Sequence, residues 1–573
     1  MPDTNAIIDI DSAEFSRRLD RLLHVERPRL ARLWTYYRNP LHPRRADDDT
    51  DRPYRQGQEI GLPPRLTGRR SDGTPIEGVH RKEIVIENDI AWRVDTMVDY
   101  LFGKPIVIES AATDPQRRAT LTRLLRHIFA ANGGIQFLQQ LALIGAVYGW
   151  VDVLVKFDAD AADSPLDPAA CATRQVGAPP ADAAGTGDPI PDPTDDVPPS
   201  SHASSAIPSE DAPTTGPAPQ AQADAWPTAP PPPPSVSDPA DTGASTRSLD
   251  DALQRLARCI RFEIVEPARA LPLLCPDDYR QVVAYGQVYE RPNPDARTRR
   301  DPPPASLFAR IARSLFATRS DGVIGDDSSI QVIDLITADH WMRYENGRLR
   351  ARGANALGAI PLVHVQNLAL PFQYAGASDV EPLIPLQDEL NTRLSDRASR
   401  ITLQSFRMYL GKGIDNFTDL PVAPGQMWAT DNENADVIEF GGDTSAPSEE
   451  AHITDIREAM DKTSGVTPIA AGAIKGRIGR LTSAAALRVT LLALLAKTER
   501  KRTTYGNAIS QMAGFALAWL DRAGLFHTAE SERRVDIHWP SPLPEDMTER
   551  LQEAKLKSEL GIPLPVIHRE LGY

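Results

Sequence analysis

Three glycines spaced Gly472-x-x-x-Gly476-x-x-Gly479, with Lys475, Arg477 and Arg480 among them, are the residues of this 573-residue chain whose types and spacing could do chemistry. Basic side chains on a loose backbone could meet phosphates, or could pair with carboxylates such as Asp455, Glu458 and Asp461. A nucleotide cradle is the first possibility to weigh. There is no GxxxxGK[ST] string, LFGKP and YLGKG lack the upstream glycines, and no strand leads into Gly472, so flexible-loop glycines explain the spacing better. The eleven histidines include no HExxH or HxH, and Cys171, Cys259 and Cys275 form no CxxC pair. Asp326-Asp327 and Glu449-Glu450 read as a solvated loop and a helix start. No catalytic residue, metal ligand or cofactor is expected.

The elements that must hold this loop are helices. The segment EPLIPLQDELNTRLSDRASRITLQSF repeats Leu383, Leu386, Leu390, Leu394, Ala398 and Ile401 at three- and four-residue steps, with Asp388, Arg393, Asp396, Arg397 and Arg400 on the other face. Over the next forty residues the helical period gives way to short apolar runs broken by Gly, Pro and Asn, as in a small strand-and-turn module. This stretch carries Asp415, Asp419, Asp431, Glu433, Asp436 and Glu439. A second helix restarts at SAPSEE, with Ser445 as cap, Pro447 in the first turn, Glu449 and Glu450 toward the dipole, and Ile453, Ile456 and Met460 as its stripe. Its other face carries Glu458 and Asp461. After the glycine loop, Thr482 or Ser483 can cap a helix whose stripe, Leu487, Leu491, Leu495, Tyr505, Ile509, Met512, Ala516 and Leu520, predicts a length of roughly 55–60 Å. Such a helix would cross a whole domain instead of sitting inside one.

Upstream, Ser12 to Tyr37 reads as helix broken at Pro28, followed by helices over Asp89 to Phe102, Ala119 to Phe129, and from the Asn132-Gly133-Gly134 break to Tyr148. Strands follow at WVDVLVKFD, RFEIVE, QVVAYGQVY, IQVIDLI, HWMRYENGRLR and IPLVHVQN. Together they predict an α+β body whose sheet draws strands from both sides of an insert. That insert, residues 159–250, has a distinctive composition. Ala161 to Ala240 holds 20 of the 51 prolines, with ten Asp and one Glu against Arg174, so it carries −10 of the chain's net −15 and reads as disordered. A smaller flexible insert spans residues 293–329, where SLFARIARSLF could be a surface helix. Neither a signal-type segment nor a run long enough to span a bilayer is present, so no membrane step is expected.

In its order of parts the chain resembles the portal proteins of tailed bacteriophages and related prophage or gene-transfer particles. The strings that carry the likeness are PLIPLQDELNTRLSDRASR, TSGVTPIAAGAIKGRIGRLTSAAALR and HWPSPLPEDMTE, with RLARLWTYYRNP and VHRKEIVIENDIAWRVDTMVDYLFGKPIVIES upstream. The resemblance implies a wing over 1–158 and 251–380, stem helices over 381–405 and 445–466, a clip over 406–444, a tunnel loop over 467–482, a long helix and wing strand over 483–541, and a helical crown over 542–573. It implies a homo-oligomeric ring, a dodecamer in the particle, at one capsid vertex. The ring would pass double-stranded DNA without regard to sequence during packaging and ejection. Implied partners are the terminase large subunit and head-completion adaptor at the clip, the major capsid protein and a scaffolding protein. In that frame Gly472, Lys475, Gly476, Arg477, Gly479 and Arg480 face DNA, and Asp388, Arg393, Arg397, Glu458 and Asp461 belong to the stem. Where the family usually has Ser-Gly before the long helix, this chain has Thr482-Ser483-Ala484. Read from the residues alone, a capsid or baseplate subunit, or a monomeric nucleic-acid-binding protein, remains open.

Overall fold

The computed structural model describes residues 12–43, 54–68, 83–158, 242–293, 329–404, 408–413, 432–440, 446–471, 488–543 and 547–564, with positions 10, 70, 74, 76, 566 and 567. The N-terminal elements are α1 (Ala13–Arg21), capped by Ser12, whose hydroxyl accepts from Phe15 N at 3.1 Å, and α2 (Arg27–Arg38). The break between them is a π turn over Leu22–Glu26, not Pro28. Pro28 sits in the first turn of α2, where its missing N–H leaves no bond unmade. Then follow β1 (Leu41–Pro43), β2 (Tyr54–Gln56), α3 (Pro64–Thr67), α4 (Asp89–Phe102), β3 (Val107–Ser110), α5 (Pro115–Ala131), α6 (Gly134–Tyr148) and β4 (Trp150–Phe157). Helix α4 has the predicted limits, whereas α5 starts four residues early because Asp114 caps it by accepting from Arg117 N.

After the first insert come α7 (Thr242–Arg258), β5 (Ile260–Val265), β6 (Ala270–Leu274) and β7 (Val282–Pro292). Helix α7 begins inside the stretch expected to be disordered, and residues 159–241 lie outside the described residues. Beyond the second insert, whose residues 294–328 are also outside them, are β8 (Ser329–Ile336), β9 (His340–Glu345), β10 (Arg348–Ala354) and β11 (Leu362–Gln366). The C-terminal part comprises α8 (Ile384–Gln404), β12 (Met408–Lys412), β13 (Asp436–Phe440), α9 (Pro447–Ser464), α10 (Leu492–Arg522), β14 (Val535–His538) and α11 (Met547–Glu559).

A three-stranded antiparallel sheet, β11-β4-β5, draws on both sides of the first insert, as the alternation predicted. Phe157 pairs with Ile260, so the strands flanking that insert meet directly. Likewise Pro292 pairs with Ser329 across the second insert, within the five-stranded sheet β10-β9-β8-β7-β6. Strand β14 pairs with β3 in a sheet of its own instead of extending the larger ones.

Strand β4 is buried on both faces as far as Val155, and its one buried charge, Asp152, is met by His364 and the Tyr374 hydroxyl. Val151, Val153 and Val155 meet helices α4, α5, α6 and α10, while Trp150 and Leu154 pack on the opposite side with Tyr285. Helix α10 supplies Tyr505, Ile509, Met512, Ala516 and Leu520 to the main core, as its stripe predicted. From a turn at Leu491 it runs for 31 residues, about 46 Å, as the spine of the body, and residues 488–490 before the turn are helical as well. Residues 472–487 lie outside the described residues.

Two close approaches fix this packing. Gly145 leaves room for Tyr505, whose hydroxyl would lie 2.1 Å from any Cβ there. Gly149 ends α6 at φ +91°, with the Gly376 carbonyl 2.4 Å from where its Cβ would be. Gly149→Ala therefore combines a left-handed backbone with a backbone clash, and chemical denaturation should register a loss of about 2 kcal/mol or more. Leu517→Ala, inside the core, should cost about 2–5 kcal/mol, whereas Leu525→Ala, at 46% exposure, should stay within about 0.5 kcal/mol.

Candidate functional site: the α8–α9 hairpin and its root

Helix α8 meets the N-terminal region through a polar ladder. Its most buried line includes Gln387, Asn391 and Ser395, at four-residue steps beside Leu390 and Leu394. These three accept from the backbone N–H groups of Asp89, Glu87 and Val85, each at 3.0 Å. The geometry is commensurate: four helical residues rise about 6.0 Å, and two extended residues span about 6.6 Å. Residues 83–88 belong to no strand, so helix side chains satisfy donors that a sheet would otherwise pair. Asn391 donates on to Gln58 Oε1 at 2.9 Å. Gln58, fully buried, donates to Tyr36 O at 2.6 Å and to Asn88 Oδ1 at 2.8 Å.

Just before α8, the chain places Asp379 beneath α10. Its carboxylate faces Lys497 Nζ at 2.7 Å, is paired with Lys501, and accepts from Asn367 Nδ2 at 3.0 Å. Lys497 also donates to Ser464 O at the C-terminal end of α9, at 2.7 Å, and Asp379 N donates to Ala146 O at the end of α6. One carboxylate thus ties α6, β11, α8, α9 and α10 together. Burial alone would raise its pKa, but the two ammonium groups outweigh burial and hold it below the carboxylate range. Lys501 goes the other way. Burial and the second lysine outweigh its half-share of Asp379 and push it down to about 8.

The two helices of the hairpin are joined by charge as well as by packing of Ile453, Ile456 and Met460. Arg400 pairs with Glu449 at 2.5 Å, and Arg457 pairs with Glu87 at 2.5 Å. The expected cap of α9, Ser445, lies outside the described residues. Ala446 occupies the cap position without a side-chain bond, and Glu449 and Glu450 in the first turn complement the positive end of the dipole. Beyond the hairpin, β12 and β13 pair antiparallel from Met408↔Phe440 to Lys412↔Asp436. Gly413 turns out of β12 at φ +65°, with Asn432 Nδ2 donating to its carbonyl at 2.9 Å.

The residues singled out from sequence are distributed unevenly. Asp388 accepts from the Tyr36 hydroxyl at 2.6 Å, and burial raises its pKa despite that bond. Asp461 pairs at 2.5 Å with Arg93, itself 2% exposed and paired with Asp89 at 3.2 Å; here too burial outweighs the cation and raises the carboxyl. Arg393 joins Glu389 at 2.7 Å and Asp396 at 3.3 Å. Glu458 is exposed and only loosely paired with Lys462 at 3.9 Å, and Arg397 has no ion pair among the described residues. Asp461 is therefore committed within its own chain, unlike Asp455 and Glu458, which remain exposed on α9. Glu433 and Asp436 are exposed beside the hairpin strands, and Glu439 lies in β13 opposite Tyr409. Gly472, Lys475, Gly476, Arg477, Gly479, Arg480, Asp415, Asp419 and Asp431 lie outside the described residues.

Sequence reasoning missed the ladder and the Asp379 cluster. A signal existed for the second, since Lys497, Lys501 and Tyr505 recur at four-residue steps on the buried face of α10.

Asn391→Ala should leave the Glu87 N–H unpaired and cost about 1–3 kcal/mol in unfolding measurements. The Asp379 cluster sets a pH signature. Its lowered carboxyl contributes stability present above the ordinary Asp value near about 4 and lost as pH falls through the folded pKa. Lys501 is lowered, so between pH of about 8 and about 10 the unfolded chain holds more protons and stability rises with pH. Lys501→Met should remove that rise from the pH dependence of the denaturation midpoint. Residues 309–571 match the family model for phage portal protein, SPP1 Gp6-like. No curated protein sequence matches the chain. Among the described residues no helix is long and apolar enough to cross a membrane. The matched region runs from before β8 through both helices of the hairpin, α10 and α11, and this similarity supports a phage portal protein, a structural family of virion components.

Proposed function

We propose that the chain is the subunit of a closed ring, a dodecamer in the particle, set at one capsid vertex and passing double-stranded DNA during packaging and ejection. The observation that carries this reading is the family match over residues 309–571 falling on an order of parts in which α8, the β12–β13 ladder and α9 are followed by a glycine- and arginine-bearing segment and then α10. In this reading α8 and α9 are the stem, β12–β13 belongs to the clip, residues 467–482 form the tunnel loop, the α/β body is the wing and α11 belongs to the crown. The long helix, being buried on its own chain, gives no ground for choosing between ring and monomer. On the hairpin, α9 leaves Ala451, Thr454, Asp455, Glu458 and Lys462 exposed along one face, a surface that neighbouring subunits would cover in a ring.

The tunnel loop would touch DNA through Lys475, Arg477 and Arg480. Contacts from basic side chains to phosphate are independent of sequence and weaken with salt, as a channel that must let DNA slide requires. The alternative is that these cations pair with Asp455 and Glu458 of a neighbour. The clip would dock the terminase large subunit and later the head-completion adaptor through Asp415, Asp419, Asp431, Glu433, Asp436 and Glu439. The major capsid protein and a scaffolding protein would surround the ring during assembly in the host cytoplasm.

Negative-stain imaging with native mass measurement tests the ring. Closed rings with a hole of DNA width are expected, and a chain that stays monomeric even with its scaffolding protein overturns the proposal. With rings in hand, changing Lys475, Arg477 and Arg480 together to Ala should reduce DNA retention and leave assembly intact; dissolved rings would instead favour the pairing with Asp455 and Glu458. Reversing the clip charges should weaken terminase docking to intact rings, and undiminished docking would count against that role.

A further inference from the structure

The loop between β11 and α8 carries Phe372 at its tip, 83% exposed and in the left-handed backbone region at φ +62°. Bulky side chains rarely adopt that conformation, and here the surroundings impose it. Gln366 Nε2 donates to Gln373 O at 2.8 Å and to Tyr374 O at 2.9 Å, and Ala377 N donates to Leu368 O at 2.9 Å. The ring is thus held outward on a braced loop, with Tyr279 beside it at 6.3 Å between centroids and exposed Asp277 and Asp278 next along the chain. An exposed, preorganised aromatic costs little further ordering when a partner covers it.

Elsewhere on the same body, the ends of α4, α5 and α6 and the start of β3 enclose an open cavity of about 240 Å³. Phe102, Ile106, Phe129, Ile135 and Leu138 line it, and exposed Arg126 stands at its rim. A cavity of about 150 Å³ already accepts benzene, so one phenyl ring fits. Knob and hole belong to opposite sides of the β11-β4-β5 sheet. Phe129 and Leu138 share the core that receives Val151 and Val153, whereas Tyr374 and Ala375 of the Phe372 loop pack with Trp150 and Leu154. Asp277 and Asp278 stand near the knob, beside Arg280 over the Tyr279 ring, and Arg126 stands at the hole, so an acidic group of the knob can reach a cation there.

We infer that Phe372 of one copy inserts into the Phe102–Leu138 cavity of the next, with Asp277 or Asp278 approaching Arg126. Complementary patches on different faces make a head-to-tail contact, and such a contact closes into a ring when its rotation allows. This inference rests on the ring reading above and names residues that would hold neighbouring bodies together.

The test uses the full chain with p-benzoylphenylalanine in place of Phe372, irradiated under assembly conditions and analysed by peptide mass spectrometry with mixed isotope-labelled subunits. Crosslinks between copies that map to residues 102–138 are expected, and crosslinks that stay within a chain or map elsewhere overturn the contact. Phe372→Ala should raise the concentration for half-assembly about ten-fold or more. Arg126→Glu should weaken assembly, and adding Asp277→Lys with Asp278→Lys should restore it; these surface changes leave the fold intact, checked by the unfolding midpoint. Rings that form undiminished with Phe372→Ala sink the contact and leave the ring reading standing, whereas wild-type chain that never assembles overturns both.

Discussion

A carboxylate taken out of water must be met by charge, and the position of Asp379 makes this the constraint on which the body depends. Its partners come from α10, its backbone bond from the end of α6, and one of those partners reaches on to the last carbonyl of α9. Hydrophobic packing is tolerant of small slides between helices, but an ion cluster with bonds at 2.7 and 3.0 Å is not. The cluster therefore fixes the angle and depth at which both helices of the hairpin leave the body. Two lysines for one aspartate leave a surplus positive charge inside. Burial and the neighbouring Lys497 lower the Lys501 pKa to about 8 in response.

The hairpin is held a second time by the ladder of Gln387, Asn391 and Ser395. Uncharged polar side chains suit that task because the groups they satisfy are neutral backbone amides, and a charged side chain there would need a counter-ion in a buried line. The charged residues of α8 and α9 take the outer flanks, where Arg393 and Arg400 pair within the hairpin and Arg457 reaches Glu87. Among the described residues, Arg397 on one helix and Glu450, Asp455 and Glu458 on the other are left without close pairing.

Much of this architecture was legible in the chain. Periodicity located α4, α6, α8, α9, the C-terminal stretch of α10 and most strands of the larger sheets, because each buries one regular stripe or alternates across a sheet, but it missed β6 and read β9 and β10 as one strand across the Asn346-Gly347 turn. What escaped was interaction at a distance. Nothing local distinguishes Gln387 or Asn391 from solvent-facing polar residues, since their partners lie some 300 positions earlier. The expected onset of α10 at Thr482 or Ser483 lies outside the described residues, and within them the helical period is interrupted by a turn at Leu491. Alternation reported that β14 exists but not which edge it joins, and the fold pairs it with β3. Asp461 was read as a free stem carboxylate, and only the fold brings Arg93 to it.

Both long interruptions of this chain fall between antiparallel neighbours that stay hydrogen-bonded: Phe157 opposite Ile260, and Pro292 opposite Ser329. Each interruption is therefore topologically a hairpin loop, clamped at its neck by the sheet. Closing such a loop costs entropy that grows only with the logarithm of its length, about 0.6 kcal/mol for each doubling. The body is consequently almost indifferent to how many residues are spliced in at these two necks. They are the natural ports at which lineages can lengthen, shorten or exchange cargo sequence without redesigning the subunit, and at which an engineer could graft a folded domain whose own ends lie close together.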